Sequence, residues 1–507
     1  MTAPHPDWLL SCEPREAQLE ALRRSWWGLC TRDSLDGPEI RRPVPGHTGE
    51  PRRGWGHFME MRVGKTPTHL NEGMLLRRDY GVKWHVVLSP NAFKEDWPLE
   101  AEKFGYDAPA IVFDSTRSDY TSKFIAKNRS TGGLIAVNYE ALKYKKNIAV
   151  LKEAIGTNTL IGADESISLA NPDSLQSKAA LDLAKDCGWR RDLSGKPVSQ
   201  GPHDLYAQLR FIGEQNGVMA AAFRRKFCQI GGFQGRIVTG AREDTADELT
   251  AILERCSFNA RKIDWLKTPG KDYAPLRHIK MLPEQQAIYD RMEKEFIVEL
   301  SDGTIVAADQ IITKLLKLSQ ISSGYIIDED GRTHWLVPHD KNPKIQELRH
   351  MLREEIGTKA ILVCNSVAMM DALGDTLTEY RPAFIRGQIW HNKNGRDLVA
   401  EKNRFNEDSA CRVLIGQEVS LKYGHTLVGT HSDPCHTTIF VENSYSLNDR
   451  SQCEERNQGA TQTAPITIFD FITSPIMTKA IEALQRKEDV ASSVLGYARD
   501  TGILPRR

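Results

Sequence analysis

What most limits the possible folds of this chain is a rhythm of short apolar runs, each closing on a polar residue, with helix-like stretches between them. In the first part these runs are "HFMEM" (57–61), "WHVVLSP" (84–90), "AIVFD" (110–114), "GLIAVN" (133–138), "TLIGAD" (159–164) and "RRDLSG" (190–195). The rhythm returns in "KAILVCN" (359–365), "PAFIRG" (382–387), "RVLIGQ" (412–417), "TTIFVEN" (437–443) and "ITIFDFI" (466–472). Apolar runs of this length, separated by segments such as "DSLQSKAALDLAK", predict parallel strands covered on both faces by crossover helices. The expected class is therefore α/β, with two parallel-sheet lobes over residues 1–215 and 346–507. Residues 216–345 are charged and helix-rich ("PEQQAIYDRMEKEFIVEL", "ADQIITKLLKLSQISSG") and are read as a helical insertion between the lobes. A chain of 507 residues is also too long for a single core.

Composition narrows the class further. With 40% hydrophobic and 26% charged residues the chain is ordinary for a soluble globular protein. No run approaches the ~20 apolar residues of a membrane span. The stretch "MTAPHPDWLLSCEPREAQ" lacks the basic and then apolar regions of a signal peptide. The cysteines are odd in number, 9, and scattered without a C-x-x-C, so reduced thiols in a cytoplasmic compartment are expected. "HSDPCH" (431–436) lacks paired ligand spacing and reads as a polar loop. Basic and acidic residues balance at 67 each, so net charge does not advertise nucleic acid, although basic residues can still line one cleft.

"MEMRVGKT" raises the question of a nucleotide site. If "HFMEM" is a strand and "KTPTHLNEGMLLRR" a helix, "RVG" is the turn between them, and helix-start N–H groups there favour phosphate oxygens. Lys65 then reaches the β- and γ-phosphates of ATP beside Gly64, and Thr66 ligates Mg²⁺. The full phosphate-loop pattern wants a glycine where Met59 stands, so the loop alone does not decide. A second element strengthens it: "TLIGAD" ends at "DES" (164–166), and carboxylates at the C-terminal end of a parallel strand face the same crevice. In that frame Asp164 holds Mg²⁺ and Glu165 orients or deprotonates the attacking water.

Taken in order, these segments resemble the Swi/Snf-type branch of the superfamily 2 helicase-like ATPases, particularly compact versions from bacteriophage genomes. "PREAQLEAL" (14–22) is similar to the Gln motif, which implies that Gln18 touches adenine. "MEMRVGKT" resembles motif I, which in this branch commonly lacks the first glycine. "VVLSPNAFKEDWPLEAEKF" (86–104) resembles motif Ia, with Trp97 in a W-x-x-E frame, while "AVNYEAL" (136–142) resembles motif Ib and "ADES" motif II. "LSGKPVSQGPHDLYAQLRFI" (193–212) is similar to motif III and the segment after it, and "KAILVCNS" to motif IV. "RVLIGQEVSLKYGHTL" (412–427) resembles motif V, and "SLNDRSQCEERNQGATQ" (446–462) motif VI. The resemblance implies two RecA-like lobes, ATP with Mg²⁺ in the cleft between them, and translocation on double-stranded DNA without strand separation. It also implies the cytoplasm of a bacterial host if the gene is a phage gene. No sequence feature names a protein partner or a membrane.

The departures from the pattern set the alternatives. Arg456 matches the first motif VI arginine, but Gly459 stands where the second, the finger on the γ-phosphate, is usual. Loss of a finger can cost ~10³–10⁵ in rate. Lys196 replaces the threonine of G-T-P in motif III, Ala170–Asn171 replace the lysine–asparagine pair after motif II, and motif V keeps only Gly424 of its glycines. Either Arg456, Arg450 or Lys422 takes the finger's place in a slow ATPase, or the chain is a nucleotide-gated DNA-binding module with little turnover. A strand-separating helicase is the third possibility. For DNA contact, "FRRKFCQIGGFQGR" (223–236) offers Arg224, Arg225, Lys226 and Arg236 among Phe223, Phe227 and Phe233. The pair Arg261–Lys262 reads as a solvated helix face, and Trp26–Trp27 as packing beside the Gln motif.

Overall fold

Parallel strands buried on both faces organise the chain, as the apolar runs require. The computed structural model describes residues 8–25, 30–31, 40–41, 51–91, 93–198, 201–231, 237–266, 270–301, 308–328, 330–387, 398–421, 426–430, 432–458 and 464–486. The chain divides into two units, 1–267 and 268–507.

The first unit holds strands β1 (Gly54–Met59), β2 (Trp84–Ser89), β3 (Ala110–Val112), β4 (Gly133–Asn138), β5 (Thr159–Asp164), β6 (Trp189–Leu193) and β7 (Ser257–Ala260). Their order in the sheet is β7-β1-β6-β5-β2-β4-β3, and every neighbouring pair is parallel. Alternate residues serve opposite layers. Val86, Leu88, Ile135 and Ile161 pack with Leu183, Leu209 and Phe223. Val87, Leu134 and Leu160 pack with Leu70, Leu75 and Trp97. Each such aliphatic side chain, fully buried, contributes about 1.5–3 kcal/mol. The strand begun at "HFMEM" starts earlier and stops earlier than the apolar run suggests. It ends at Met59, because Glu60 accepts the Lys262 N–H at 2.7 Å and Arg62 turns the chain with φ 69°.

The second unit holds β8 (Lys271–Tyr273), β9 (Arg277–His278), β10 (Lys359–Cys364), β11 (Ala383–Ile385), β12 (Val413–Gln417), β13 (Cys435–Phe440) and β14 (Ile466–Ile472). Here the order is β8-β14-β13-β10-β12-β11, with β9 also on β14 and all pairs parallel. Ala360, Leu362 and Cys364 face one core, and Ile361 and Val363 the other.

The stretch 216–345 is shared between these units. Helix Ala220–Phe227, an antiparallel hairpin (Cys228–Gly231 with Ile237–Ala241) and helix Ala246–Cys256 lead into β7 on the first sheet. β8 and β9 then join the second sheet, and helices Pro283–Ser301 and Ala308–Ser322 pack Tyr289, Phe296, Leu315 and Leu318 against Ile476, Ile481 and Leu484 of helix Pro475–Arg486. Among the described residues no helix is long and apolar enough to cross a membrane.

Candidate nucleotide site

Two strands of the first sheet, with β6 between them, end at the same edge. β1 runs into the loop 60–64 and then helix α2 (Lys65–Tyr80), while β5 ends at Asp164. Gly64 caps α2 in the left-handed region, φ 115° and ψ 34°, where L side chains are strained. A Cβ there would also lie 2.3 Å from the Gln18 amide nitrogen, so two independent constraints require glycine. Its carbonyl accepts both the Thr68 N–H (3.1 Å) and the Thr68 hydroxyl (2.8 Å). Helix α1 (Glu16–Ser25) braces the loop: Gln18 Nε2 donates to Gly64 O (3.4 Å), Gln18 Oε1 accepts from Arg15 N (2.6 Å), and Arg15 Nη1 donates to Arg62 O (2.8 Å). Buried Gln18 is thus engaged with the phosphate loop itself.

Lys65 and Glu165 face each other, Nζ to Oε1, at 3.4 Å. Gly195 lies close by: a Cβ there would sit 3.1 Å from the lysine amine. Thr66 follows in the first turn of α2, half-buried. Asp164 is held from three sides. Trp97 Nε1 donates to Oδ2 (3.3 Å), the Glu165 N–H donates to Oδ1 (3.1 Å), and the Tyr139 hydroxyl donates to the Asp164 carbonyl (2.8 Å). Burial, then the Glu165 charge, push the Asp164 carboxyl up to about 7, against the pull of Lys65. A half-buried carboxyl with a lysine close by, at the sheet edge where the Lys65–Thr66 helix begins, is a donor set that a divalent cation with a polyphosphate would complete, because the cation favours the ionised form. Glu165 itself is left-handed (φ 46°, ψ 55°), a conformation costing about 1–3 kcal/mol that neighbouring contacts must hold. Ser166 Oγ supplies one, donating to Gln208 Oε1 (2.9 Å), and Gln208 Nε2 donates to Pro197 O (2.7 Å) and Asp204 O (2.8 Å). Gln208, missed in the sequence, therefore ties the turn after Asp164 to the segment after Gly195. Only its neighbourhood in the linear sequence hinted at this.

Below α2 lies a polar layer with no solvent access. His57 Nε2 meets Glu72 Oε2 at 3.0 Å, and Arg191 Nη2 donates to Glu72 Oε1 at 2.8 Å. His69 and His85 share an Nε2–Nε2 hydrogen bond of 2.8 Å, and His85 Nδ1 contacts the Tyr106 hydroxyl at 3.1 Å. Arg191 and His57 hold the Glu72 carboxylate well below its usual range despite burial. Burial keeps both imidazoles neutral, with His85 lowered to about 3.

Asp192 on β6 differs, because neither carboxyl oxygen has a hydrogen-bond partner among the described residues. The Ser166 hydroxyl donates to Gln208 instead. Burial pushes this carboxyl from 3.8 to about 7. The associated stability is complete below the unfolded value and is lost as pH rises through about 7. Asp192→Asn is therefore expected to flatten the fall in melting temperature between about pH 4 and 7. Parallel pH curves for the two proteins in a thermal-shift series would refute this.

In the second unit, Arg450 is unavailable as a finger. Its guanidinium is bidentate to Asp470 (2.5 and 2.8 Å), bonds Glu454 (2.8 Å) and Asn443 (2.6 Å), and lies 4.0 Å from the Phe440 ring centre. Arg456 is also buried. Its Nε donates to Gln452 O (2.7 Å) and its carbonyl accepts from Leu427 N (2.9 Å), linking the segments that resemble motifs V and VI. Lys422, Gly424 and Gly459 lie outside the described residues. Around Cys435 no group of ligands for a metal forms among the described residues.

Of the basic-aromatic stretch, Arg224, Arg225 and Lys226 are exposed on helix Ala220–Phe227, with Lys226 paired to Glu248. Phe223 and Phe227 are core instead of stacking platforms, with ring centres 4.7 Å apart and Phe223 5.6 Å from Tyr206. Their spacing on the helix sends them inward while the cations stay out. Arg236 and Phe233 lie outside the described residues.

A parallel sheet whose strand ends bring a glycine-capped Lys-Thr helix and an Asp-Glu pair together defines a nucleotide-binding α/β protein of the phosphate-loop class. The model of the SNF2-related domain matches residues 57–324. The chain belongs to that family, the Swi/Snf-type DNA-dependent ATPases of superfamily 2. A Caenorhabditis elegans homolog of SWI/SNF-related matrix-associated actin-dependent regulator of chromatin subfamily A-like protein 1 is 28% identical over 211 residues. That match covers 41% of this chain and 29% of the relative, so the chain spans under a third of the relative's length. The Sulfolobus solfataricus SWI2/SNF2 ATPase core in complex with dsDNA is 18% identical, with 89% of each chain covered and a TM-score of 0.38. The same organism's ATPase core domain is 17% identical, covering 90% and 91%, with a TM-score of 0.36.

Proposed function

We propose that this chain hydrolyses ATP in the first unit, under the influence of double-stranded DNA, and uses the cycle to translocate on the duplex. The observation that carries this reading is the approach of Lys65 to Glu165 beside the fixed Asp164 carboxyl, at the start of a helix whose cap only glycine satisfies. Lys65 exchanges Glu165 for the β- and γ-phosphates when nucleotide enters. Thr66 and Asp164 hold Mg²⁺, which when bound neutralises phosphate charge. Glu165, released from the lysine, orients the attacking water and accepts its proton. Gln18, already against the loop, reads adenine. Arg224, Arg225 and Lys226, with Arg236, offer phosphate contacts that are independent of sequence and sensitive to salt.

Gly459 favours a second reading, nucleotide-gated DNA binding with weak turnover, now that Arg450 is committed to Asp470. Phosphate release with and without duplex DNA separates the two, measured on this chain and on Gly459→Arg. Stimulation of the natural chain by duplex supports the motor. A silent natural chain whose Gly459→Arg variant gains on the order of 10³-fold supports a lobe pair that lacks only its finger. Silence of both, with ATP-dependent DNA affinity retained, would overturn hydrolysis as the function.

A further inference from the structure

We infer that Trp97 is a positioning residue for the cation-binding carboxylate, fixing Asp164 and the helix that carries Lys65 and Thr66 with one indole. The inference deepens the ATPase reading and rests on its assignment of Asp164 to Mg²⁺. Trp97 lies in the first turn of helix α3 (Asp96–Lys103) and is 2% exposed. Its N–H donates to Asp164 Oδ2 at 3.3 Å. The direction of that bond is unambiguous, because an indole nitrogen donates and never accepts. With the Glu165 N–H on Oδ1 (3.1 Å), both carboxylate oxygens are engaged and the plane of the group is set.

The same indole meets the His69 ring edge to face, with centroids 5.8 Å apart and planes at 89°. His69 stands four residues after Lys65, on the same side of α2. Its position is set independently. Gly162, two residues before Asp164, clears space for the imidazole, since a Cβ there would fall 2.3 Å from His69 Nε2. His69 is also hydrogen-bonded to His85 (2.8 Å), which in turn contacts Tyr106. Trp97 thus bridges the end of β5 and helix α2, which carry the side chains that must converge on one ion. Plain core packing would explain its burial. It would not explain a donor aimed at the strand-end carboxyl to which the cation is assigned.

The test uses the full chain and a fluorescent ATP analogue, titrated first in EDTA and then with increasing MgCl₂, on the natural protein, Trp97→Phe and Asp164→Asn. Phenylalanine keeps the ring against His69 and removes the N–H. The expected result is unchanged affinity in EDTA for Trp97→Phe and a Mg²⁺ half-saturation raised by about 10-fold, the scale for losing a hydrogen bond that orients a metal ligand. Asp164→Asn is expected to lose the Mg²⁺-dependent gain altogether. If Trp97→Phe keeps the natural Mg²⁺ curve while Asp164→Asn loses it, Trp97 is packing alone and the inference fails. An equal loss of affinity with and without Mg²⁺ in Trp97→Phe also overturns it, because a structural defect would act that way. If Asp164→Asn retains the Mg²⁺ gain, the cation assignment itself is wrong, and the role of Trp97 falls with it.

Discussion

Lys65→Ala is expected to bring DNA-stimulated phosphate release to background, a loss on the order of 10²–10³-fold or more for one charge-stabilising donor. The argument is geometric. The lysine side chain is 11% exposed, so it is already largely desolvated, and its amine faces Glu165 at 3.4 Å. Its present partner, Glu165, is the group assigned to the attacking water, so the alanine variant also leaves that carboxylate without its cation. Glu165→Gln provides the contrast, because it should bind nucleotide with Mg²⁺ and fail to turn it over. Phosphate-release and nucleotide-binding assays on both variants are the measurement. A Lys65→Ala protein that still hydrolyses ATP on duplex DNA would remove the first unit's site from the mechanism.

The second large effect concerns stability. Arg450→Met is expected to cost about 3–5 kcal/mol in the second unit, the scale for removing one partner of a buried ion pair. Asp470 and Glu454, 0% and 4% exposed at the side chain, would be left facing a thioether. Asp470 retains only the Gln485 amide at 2.9 Å, and Glu454 keeps Lys271 (3.3 Å) and Tyr273 (2.8 Å). Because the chain has two units, one global unfolding energy is ill-defined. The informative measurement is hydrogen exchange in β14, with urea midpoints beside it. Unchanged protection across Ile466–Ile472 would mean that the pair is not holding the strand. A finger-like Arg450 predicts the reverse pattern, lost turnover at full stability.

These results show which parts of the molecule the sequence made legible. "TLIGAD" and "GLIAVN" coincide with β5 and β4 because buried parallel strands need no polar alternation, and polar residues mark their ends; "ITIFDFI" coincides with β14. The sequence could propose Lys65, Thr66, Asp164 and Glu165 because Lys65 and Thr66 open the helix after β1, and Asp164 and Glu165 stand at the end of β5. What escaped was lateral. β7, four residues of "SFNA" at a sheet edge, has no periodicity to announce it, so a helical insertion was expected where the chain passes from one sheet to the other. The inner face of α2 also misleads. Thr68, His69, Asn71 and Glu72 look like a solvated surface, yet all are buried, and the partners of His69 and Glu72, namely His85, His57 and Arg191, come from distant strands. A one-dimensional pattern does not carry pairings 67 and 119 residues apart, such as Trp97 with Asp164 and Glu72 with Arg191.

That concealed polar layer has a consequence for descent. An oily core drifts one residue at a time, since neighbours tolerate a change of shape. His57, Glu72 and Arg191 do not share that freedom, because losing one strands the charge of another where no water can reach it. Glu72 and Arg191 should therefore be inherited together or replaced together, with His57 following them. Kin of this chain would then sort into two lineages beneath the phosphate loop, one ionic and one greasy, with few intermediates surviving between them.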